Sequence, residues 1–364
     1  MKKIIIAGSA LLVILAGCSK SRTETQQAVN DEAWVYDESL PVPVEFSSTG
    51  LNVETKALIE GESMEGLDVG VFALRNNPVQ GENNTYTYEP NWGPTINDGI
   101  LLNNEKGTVT SGKIVFEQTR YYPMSGDDGY SFFAYYPYSE SAHYTNNGYQ
   151  VDYDIRDGND ILWGEVHPGY VYQGPLYGFN AAFIRRTKET INSGNGKYSK
   201  YLPSIMFYHK LAALKFIAVN ESGSQTSNIT VDALSLKDIP RSVILTVGGR
   251  AAGVSGELTP SNPGTVDLTL TGDGIPTQDG KEIGTIMICP MEPGAKENIL
   301  LDITLSVSGG ETVTLEDVPL DASSGFAEGD RYTVKLKIKD ATAIEISATL
   351  DTWTDVGEIG VPVN

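Results

Sequence analysis

Apolar side chains at every second position mark several segments of this chain, and this alternation restricts the possible folds more than any other feature. It is clearest at residues 332–338, and it recurs at 301–307, 243–247, 266–270 and 67–71. Alternate side chains of a strand point to the same face, so each segment predicts a strand with one buried face. The segments lie roughly a dozen or more residues apart, with Gly, Pro and Asn between them, which favours an antiparallel β-sandwich over βαβ units.

The length of the chain, 364 residues, suggests about two domains. Residues 75–203 are rich in aromatic residues and turns, whereas the strand patterns are cleaner from Ser204 onward. A polar stretch at residues 187–200 precedes this change. We therefore predict an N-terminal β-sandwich domain at 41–203 and a C-terminal one at 204–364.

The N-terminus has the pattern of an export signal. Lys2 and Lys3 precede an apolar stretch, residues 4–15, that is too short to span a bilayer. It ends in Leu-Ala-Gly before Cys18, which predicts a lipoprotein signal peptide at 1–17 and a lipid on Cys18. The alternative is a secreted protein cut at an A-x-A-like site. Residues 18–40 are polar and acidic without periodicity, as expected for a flexible tether.

Charge and cysteine content exclude some classes of protein. Lys and Arg total 26 against 47 Asp and Glu, a net charge of -21, so nucleic-acid binding is not expected. There are two cysteines. If Cys18 carries lipid, Cys289 has no disulfide partner. Its apolar surroundings, residues 285–289, predict a buried and inert thiol.

Motifs for catalysis and for metal or cofactor binding are not found in the sequence. His143, His167 and His209 lie far apart, without metal-ligand spacing. No nucleophile elbow, P-loop or dinucleotide-binding loop occurs. We therefore expect no catalytic site, metal or cofactor, and we predict that His209 is half-buried and opens the first strand of the second domain.

Two patterns allow a ligand but have a simpler explanation. Residues 152–160 are rich in Asp, but Arg156 stands where a calcium loop of the EF type needs an oxygen ligand, so a turn is favoured. Aromatic residues of the first half could form a glycan platform, although such residues also fill β-sandwich cores. The candidates for that platform are Trp92, Trp163, Tyr170 and Tyr172.

A series of short motifs, in order and spacing, resembles the fimbrillin family of type V pilins and fimbrillin-like adhesins of Bacteroides-type bacteria. The resemblance covers nearly the whole mature chain. The motifs are the lipobox, the early strand with Phe46, Thr55-Lys56-Ala57, residues 66–73 (GLDVGVFA), 132–137 (FFAYYP), 160–164 (DILWG), 207–216 (FYHKLAALKF), 329–332 (GDRY) and Trp353.

The resemblance implies two tandem transthyretin-like β-sandwich domains, a lipoprotein precursor and a location at the outer membrane. It also implies assembly with other pilin subunits, and adhesion to a host or bacterial surface ligand. In polymerising members, an arginine-directed protease removes the N-terminal segment with the first strand, and a partner's strand fills the groove. Here Lys56 stands at the position of that arginine, as the possible processing site.

We take Pro41 to Leu51 as the first strand. Its side chains Val42, Val44 and Phe46 would point into the core, so they form the core of the exchanged strand. At the C-terminus only Ile359, Val361 and Val363 alternate, which favours a tip or anchor subunit over a stalk subunit. The competing hypothesis is a surface lipoprotein that binds glycan.

Overall fold

The alternating segments form strands in the computed structural model, which describes residues 37–46, 64–80, 86–91, 99–124, 128–167, 178–221, 229–249, 254–307, 310–340 and 343–351. Up to the middle of the chain these residues form β1 (Asp68–Gln80), β2 (Tyr86–Pro90), β3 (Ile100–Thr110), β4 (Lys113–Phe116), β5 (Tyr130–Tyr136), β6 (His143–Thr145), β7 (Gly148–Asp154), β8 (Leu162–Val166), α1 (Ala181–Asn192) and β9 (Tyr208–His209). Then follow β10 (Ala212–Asn220), β11 (Ile229–Gly249), β12 (Glu257–Asp267), β13 (Lys281–Ile288), β14 (Asn298–Val307), β15 (Glu311–Asp321), β16 (Arg331–Asp340) and β17 (Ala343–Asp351).

The strands form three sheets. The first has the order β4-β3-β1-β5-β8-β9, with β2 paired to β1. The second has the order β13-β10-β16-β17, and the third the order β15-β14-β11-β7-β6, with β12 paired to β11. The all-β class is therefore confirmed.

One strand pair departs from the predicted antiparallel arrangement. β10 and β16 are parallel, with Ala213 opposite Arg331 and Asn220 opposite Ile338. Parallel neighbours need a long crossover connection. The five strands β11 to β15 lie between β10 and β16 in the chain and provide it.

The predicted inward faces are buried where the second and third sheets pack together. Leu301, Ile303 and Leu305 of β14 belong to the same apolar core as Val334 and Leu336 of β16. The pattern at 266–270 is only partly a strand. Val266 lies in β12, but β12 ends at Asp267 and the two leucines follow it.

A second core lies between the first and third sheets. Phe72 and Phe133 of the first sheet pack in one cluster with Val151 of β7 and with Val243 and Leu245 of β11. The 21-residue strand β11 contributes to both cores, because its first part pairs with β14 and its last part with β7. The third sheet thus contains strands from both sides of position 204. The division into two domains at that position stays a prediction.

The first sheet is covered on both faces. Every residue of β5 from Tyr130 to Tyr135 is buried. Phe133 and Tyr135 face the third sheet, whereas Phe132 points the other way, towards Phe46 and Phe179. Burial on both faces explains why this strand is apolar at neighbouring positions instead of alternating, with Ser131 as its one buried polar residue.

Helix α1 is an element that the sequence analysis missed. Part of it falls in the stretch 187–200, which was interpreted only as polar. The side chain of Asn180 caps it by accepting a hydrogen bond from the Phe183 N–H at 2.8 Å. Phe183 and Ile184 are buried on one side of the helix. None of the helices in the described part of the chain is long and apolar enough to cross a membrane.

Candidate functional site

Residues 37–46, here called the N-terminal segment, lie against the outer face of the first sheet. The segment begins with a turn at residues 38–40, and in the stretch that follows Pro43 forms an isolated antiparallel bridge with Tyr121. The N–H of Val44 donates to the Arg120 carbonyl at 2.7 Å, and the N–H of Tyr122 donates to the Val42 carbonyl at 2.9 Å. The described part of the predicted strand is therefore held at one bridge and not by a continuous ladder. Residues 47–51 lie outside the described residues.

The N-terminal segment contributes three side chains to the core. Val42, Val44 and Phe46 are 0 %, 4 % and 1 % exposed. The Phe46 ring packs edge-on against Phe132 and Phe116, with centroid distances of 5.1 Å and 6.3 Å. Each buried apolar side chain contributes about 1.5–3 kcal/mol, so the three together contribute roughly 5–9 kcal/mol.

A cavity of about 410 Å³ lies beside the segment. We call this cavity, together with the space that the segment fills, the groove. One wall of the groove is β4, which lies at one edge of the first sheet and contributes Ile114 and Phe116. The other wall is α1, which contributes Ile184 and Lys188. An edge strand presents backbone groups that a further extended chain can pair with.

Charged groups of α1 hold the segment at two points. Lys188 Nζ lies 2.7 Å from Glu45 Oε2, and Nη2 of Arg185 donates to the Leu40 carbonyl. At the start of the segment, the backbone and side chain of Ser39 donate to the Asp37 carboxylate. These hydrogen bonds, with the nearby charge of Arg185, hold the pKa of Asp37 below its usual value.

The other predicted site residues are not brought to this groove. Cys18 and Lys56 lie outside the described residues, as do Trp92, Tyr170 and Tyr172 of the suggested glycan platform. The fourth platform residue, Trp163, donates its indole N–H to the Val247 carbonyl at 2.7 Å and is partly buried.

The Asp-rich stretch at 152–160 forms a turn. Asp154 caps a short 3₁₀ helix by accepting from the Arg156 N–H at 3.0 Å, and Gly158 adopts the left-handed conformation with φ 72°. Asp160 is buried and contacts Nδ1 of His209. Within the described ranges, no group of three or more His, Cys, Asp or Glu residues could hold a metal ion.

The sequence predicts a buried thiol at Cys289 and a half-buried side chain at His209. Cys289 is 4 % exposed, which confirms the buried thiol, and burial raises its pKa to about 11. His209 is buried, not half-buried, and its strand β9 pairs with β8 of the first sheet. The prediction that His209 opens a strand of the second domain is therefore wrong: the short β9 extends the first sheet instead.

Comparison with known proteins defines the class. The sequence profile of the fimbrillin-like family matches residues 55–353, so the chain belongs to this family. The match confirms the resemblance inferred from the motifs. A comparison with curated protein sequences finds no match.

Among solved structures, a candidate cell adhesion protein from Bacteroides uniformis shares the fold with a TM-score of 0.50. It is 17 % identical, and the alignment covers 86 % of this chain and 98 % of that one. Another candidate cell adhesion protein, from Bacteroides ovatus, has a TM-score of 0.47 at 14 % identity, over 87 % of this chain and 98 % of that one. A fimbrial protein from Bacteroides vulgatus has a TM-score of 0.45 at 16 % identity, over 79 % of this chain and 93 % of that one.

Proposed function

We propose that this chain is a subunit of a surface pilus or a surface adhesin, exported as a lipoprotein that is acylated on Cys18 and anchored in the outer membrane. Its groove accepts a strand from another subunit once the N-terminal segment is released. Family membership and the lipobox support this function. Lys56 stands in place of the arginine that precedes processing in the family. Either a protease of different specificity releases the segment there, or the subunit is not cut at this position and stays lipid-anchored.

The observation that carries the exchange mechanism is the way the N-terminal segment is held. Three side chains of the segment are buried in the core, whereas its backbone pairs with the sheet at one bridge. Such a segment completes the core without belonging to a hydrogen-bonded ladder. Its removal would cost roughly 5–9 kcal/mol, comparable with the whole stability of a domain, and would expose an apolar groove beside the β4 edge. An extended chain with alternating apolar residues can refill such a site by β-augmentation.

The test separates the segment from the rest of the chain. In the mature protein without lipid, residues 52–57 are replaced by the recognition sequence of a site-specific protease, and the protein is cut. We expect the fragment to remain bound noncovalently, because its three buried side chains hold it. After its removal in moderate denaturant, the remaining chain should aggregate, or it should take up a synthetic peptide of residues 37–46.

Light scattering distinguishes these outcomes from failure of the mechanism. The uncut protein, passed through the same denaturant, serves as the control and should return as a monomer. A stable, unaggregated monomer that lacks the N-terminal fragment would rule out strand exchange, while leaving the fold and the family unaffected.

A further inference from the structure

Positive charge is concentrated in α1 and the 3₁₀ helix that follows it, beside the groove, which Lys113 and Arg120 line on the side of the sheet. The whole chain has 26 basic and 47 acidic residues, but residues 181–201 contain five basic residues and only Glu189 as an acidic one. These residues form α1 and the 3₁₀ helix that follows it. The basic residues are Arg185, Arg186, Lys188, Lys197 and Lys200.

Arg185 is the unusual member of this set, because it is buried, with only 4 % of the residue exposed. Nη2 donates to the Leu40 carbonyl and lies 3.5 Å from the sulfur of Met124, while the buried Nε has no hydrogen-bond partner among the described residues. No carboxylate in the described ranges forms an ion pair with Arg185. A buried charge without a counter-ion is costly, so the hydrogen bond to the Leu40 carbonyl matters for Arg185. The pKa of Asp37 is lowered first by its hydrogen bonds from Ser39, with the charge of Arg185 as a smaller cause.

Lys188, one helical turn further along, contacts the other end of the segment. Its ammonium lies 2.7 Å from the Glu45 carboxylate, directly before the anchoring ring of Phe46. Its side chain is 20 % exposed and that of Glu45 is 58 % exposed, so the pair lies at the rim of the groove. The two cations of α1 therefore contact the segment near its two ends, at Leu40 and at Glu45.

We infer that Lys188 selects the strand that fills the groove, favouring an extended segment of a partner subunit that carries a carboxylate immediately before its aromatic anchor. Arg185 holds the backbone of that strand at the carbonyl that corresponds to Leu40. This inference rests on the proposed strand exchange and specifies the partner: alternating apolar residues and an acid immediately before the aromatic anchor. The apolar residues supply affinity, and Lys188 supplies discrimination.

The chain itself offers a comparison that lacks the Glu45 carboxylate. Residues 359–363 (IGVPV) repeat the aliphatic-x-Val-Pro-Val pattern of residues 40–44 (LPVPV). Asn364 follows at the position that corresponds to Glu45. A peptide of residues 359–364 with an amidated C-terminus therefore matches the apolar pattern without the carboxylate beside Lys188 and without the Phe46 ring, and we expect it to bind more weakly than a peptide of residues 37–46.

The experiment is a charge swap on the cut protein after removal of its N-terminal fragment. Fluorescent peptides of residues 37–46, with the natural Glu45 or with Glu45→Lys, are titrated into the natural protein and into Lys188→Glu, and anisotropy is followed. We expect the natural protein to prefer the Glu45 peptide by about two- to fivefold, the size of an exposed ion pair, and Lys188→Glu to reverse the preference.

Both preferences should shrink at high salt. Because the net charge of the chain is -21, the overall field favours the Lys peptide, so a preference for Glu reports the local cations.

Arg186→Glu is the matched control, because Arg186 is the exposed neighbour of Arg185 in the same helix. It makes the same charge change as Lys188→Glu and should leave the preference unchanged. Arg185→Gln should weaken the Glu45 and Glu45→Lys peptides equally, because both keep the Leu40 carbonyl that Arg185 contacts; a loss confined to one peptide overturns that role of Arg185. Thermal unfolding of each uncut variant identifies any that does not fold.

The outcomes separate this inference from the proposed function. Equal binding of the Glu45 and Glu45→Lys peptides to both proteins overturns the selection by charge and leaves strand exchange standing. Failure of every peptide to bind overturns strand exchange as well. Reversal of the preference in Lys188→Glu, with none in Arg186→Glu, supports the inference.

Discussion

Tyr135, Tyr153 and Tyr122 show how burial changes the properties of single side chains in this protein. The hydroxyl of Tyr135 donates to Asn104 Oδ1 at 2.6 Å, and that of Tyr153 donates to the Pro137 carbonyl at 2.5 Å. Burial raises the pKa of all three phenols. Their hydroxyls therefore stay protonated at any ordinary pH. The many tyrosines of the first half thus include several that serve the core and are not free to form a ligand surface.

The thiol of Cys289 gives a prediction at the same scale. Burial raises its pKa from about 9 to about 11, so the folded protein holds the proton more tightly than the unfolded chain. Its contribution to stability is therefore present below about pH 9 and is lost as the pH rises from there towards 11. In a Cys18→Ser background, where Cys289 is the remaining thiol, alkylation at pH 8 should be slow in the folded protein and fast in denaturant. Equally fast alkylation in both states would contradict the buried, protonated thiol.

Among the elements of the fold, α1 and β12 show two ways of determining whether another chain can pair with the edge of a sheet. α1 lies beside the edge strand β4 and leaves room for an additional chain, which is the groove. β12 is held by β11 on one side and carries Pro260 and Pro263, both exposed. Proline lacks the N–H that a neighbouring strand needs, so the β12 edge is a poor template for association. The strand exchange proposed above is therefore expected at the groove and not at the β12 edge.

The cap of α1 provides the second prediction. Asn180→Ala removes the acceptor of the Phe183 N–H and should lower the free energy of unfolding by about 1 kcal/mol, as measured by urea denaturation. Asn180→Asp is the matched control, because it keeps the oxygen and places a negative charge at the helix N-terminus. It should be as stable as the natural protein. If the Ala and Asp variants are equally stable, the side chain does not cap this helix.

Across the whole molecule, the features that the sequence predicts are those that depend on neighbouring residues. Alternation is local, so β14, β16 and the burial of Val42, Val44 and Phe46 could be predicted from it. The parallel pairing of β10 with β16 could not, because it depends on where the chain returns after five strands. The role of Arg185 was also out of reach, because nothing in the local pattern indicates that its guanidinium meets the carbonyl of Leu40, far away in the chain.

α1 could have been found from the sequence. Asn180 is a favourable cap, and Phe183, Ile184 and Thr187 follow at helical spacing. The helix has only 12 residues, and its outer face is polar. The polar composition of residues 187–200 therefore hid the apolar side that covers the first sheet.

The attachment of the protein to the membrane depends on the N-terminal signal and not on the folded part, and it can be tested by substitution of Cys18. The lipobox predicts acyl chains on Cys18, and each buried CH₂ contributes about 0.8 kcal/mol to membrane binding, so two or more chains form a durable anchor. Cys18→Ser removes the acylation site and leaves the folded part unchanged. We therefore expect the variant to leave the membrane fraction in a wash with salt and without detergent, whereas the natural protein stays. The second cysteine of the chain provides the control: Cys289→Ser changes a buried thiol and should leave the protein in the membrane fraction. If Cys18→Ser, shown by mass spectrometry to have lost its signal peptide, remains with the membrane after that wash, the lipid anchor is excluded, and the protein would have to be held at the surface by other means.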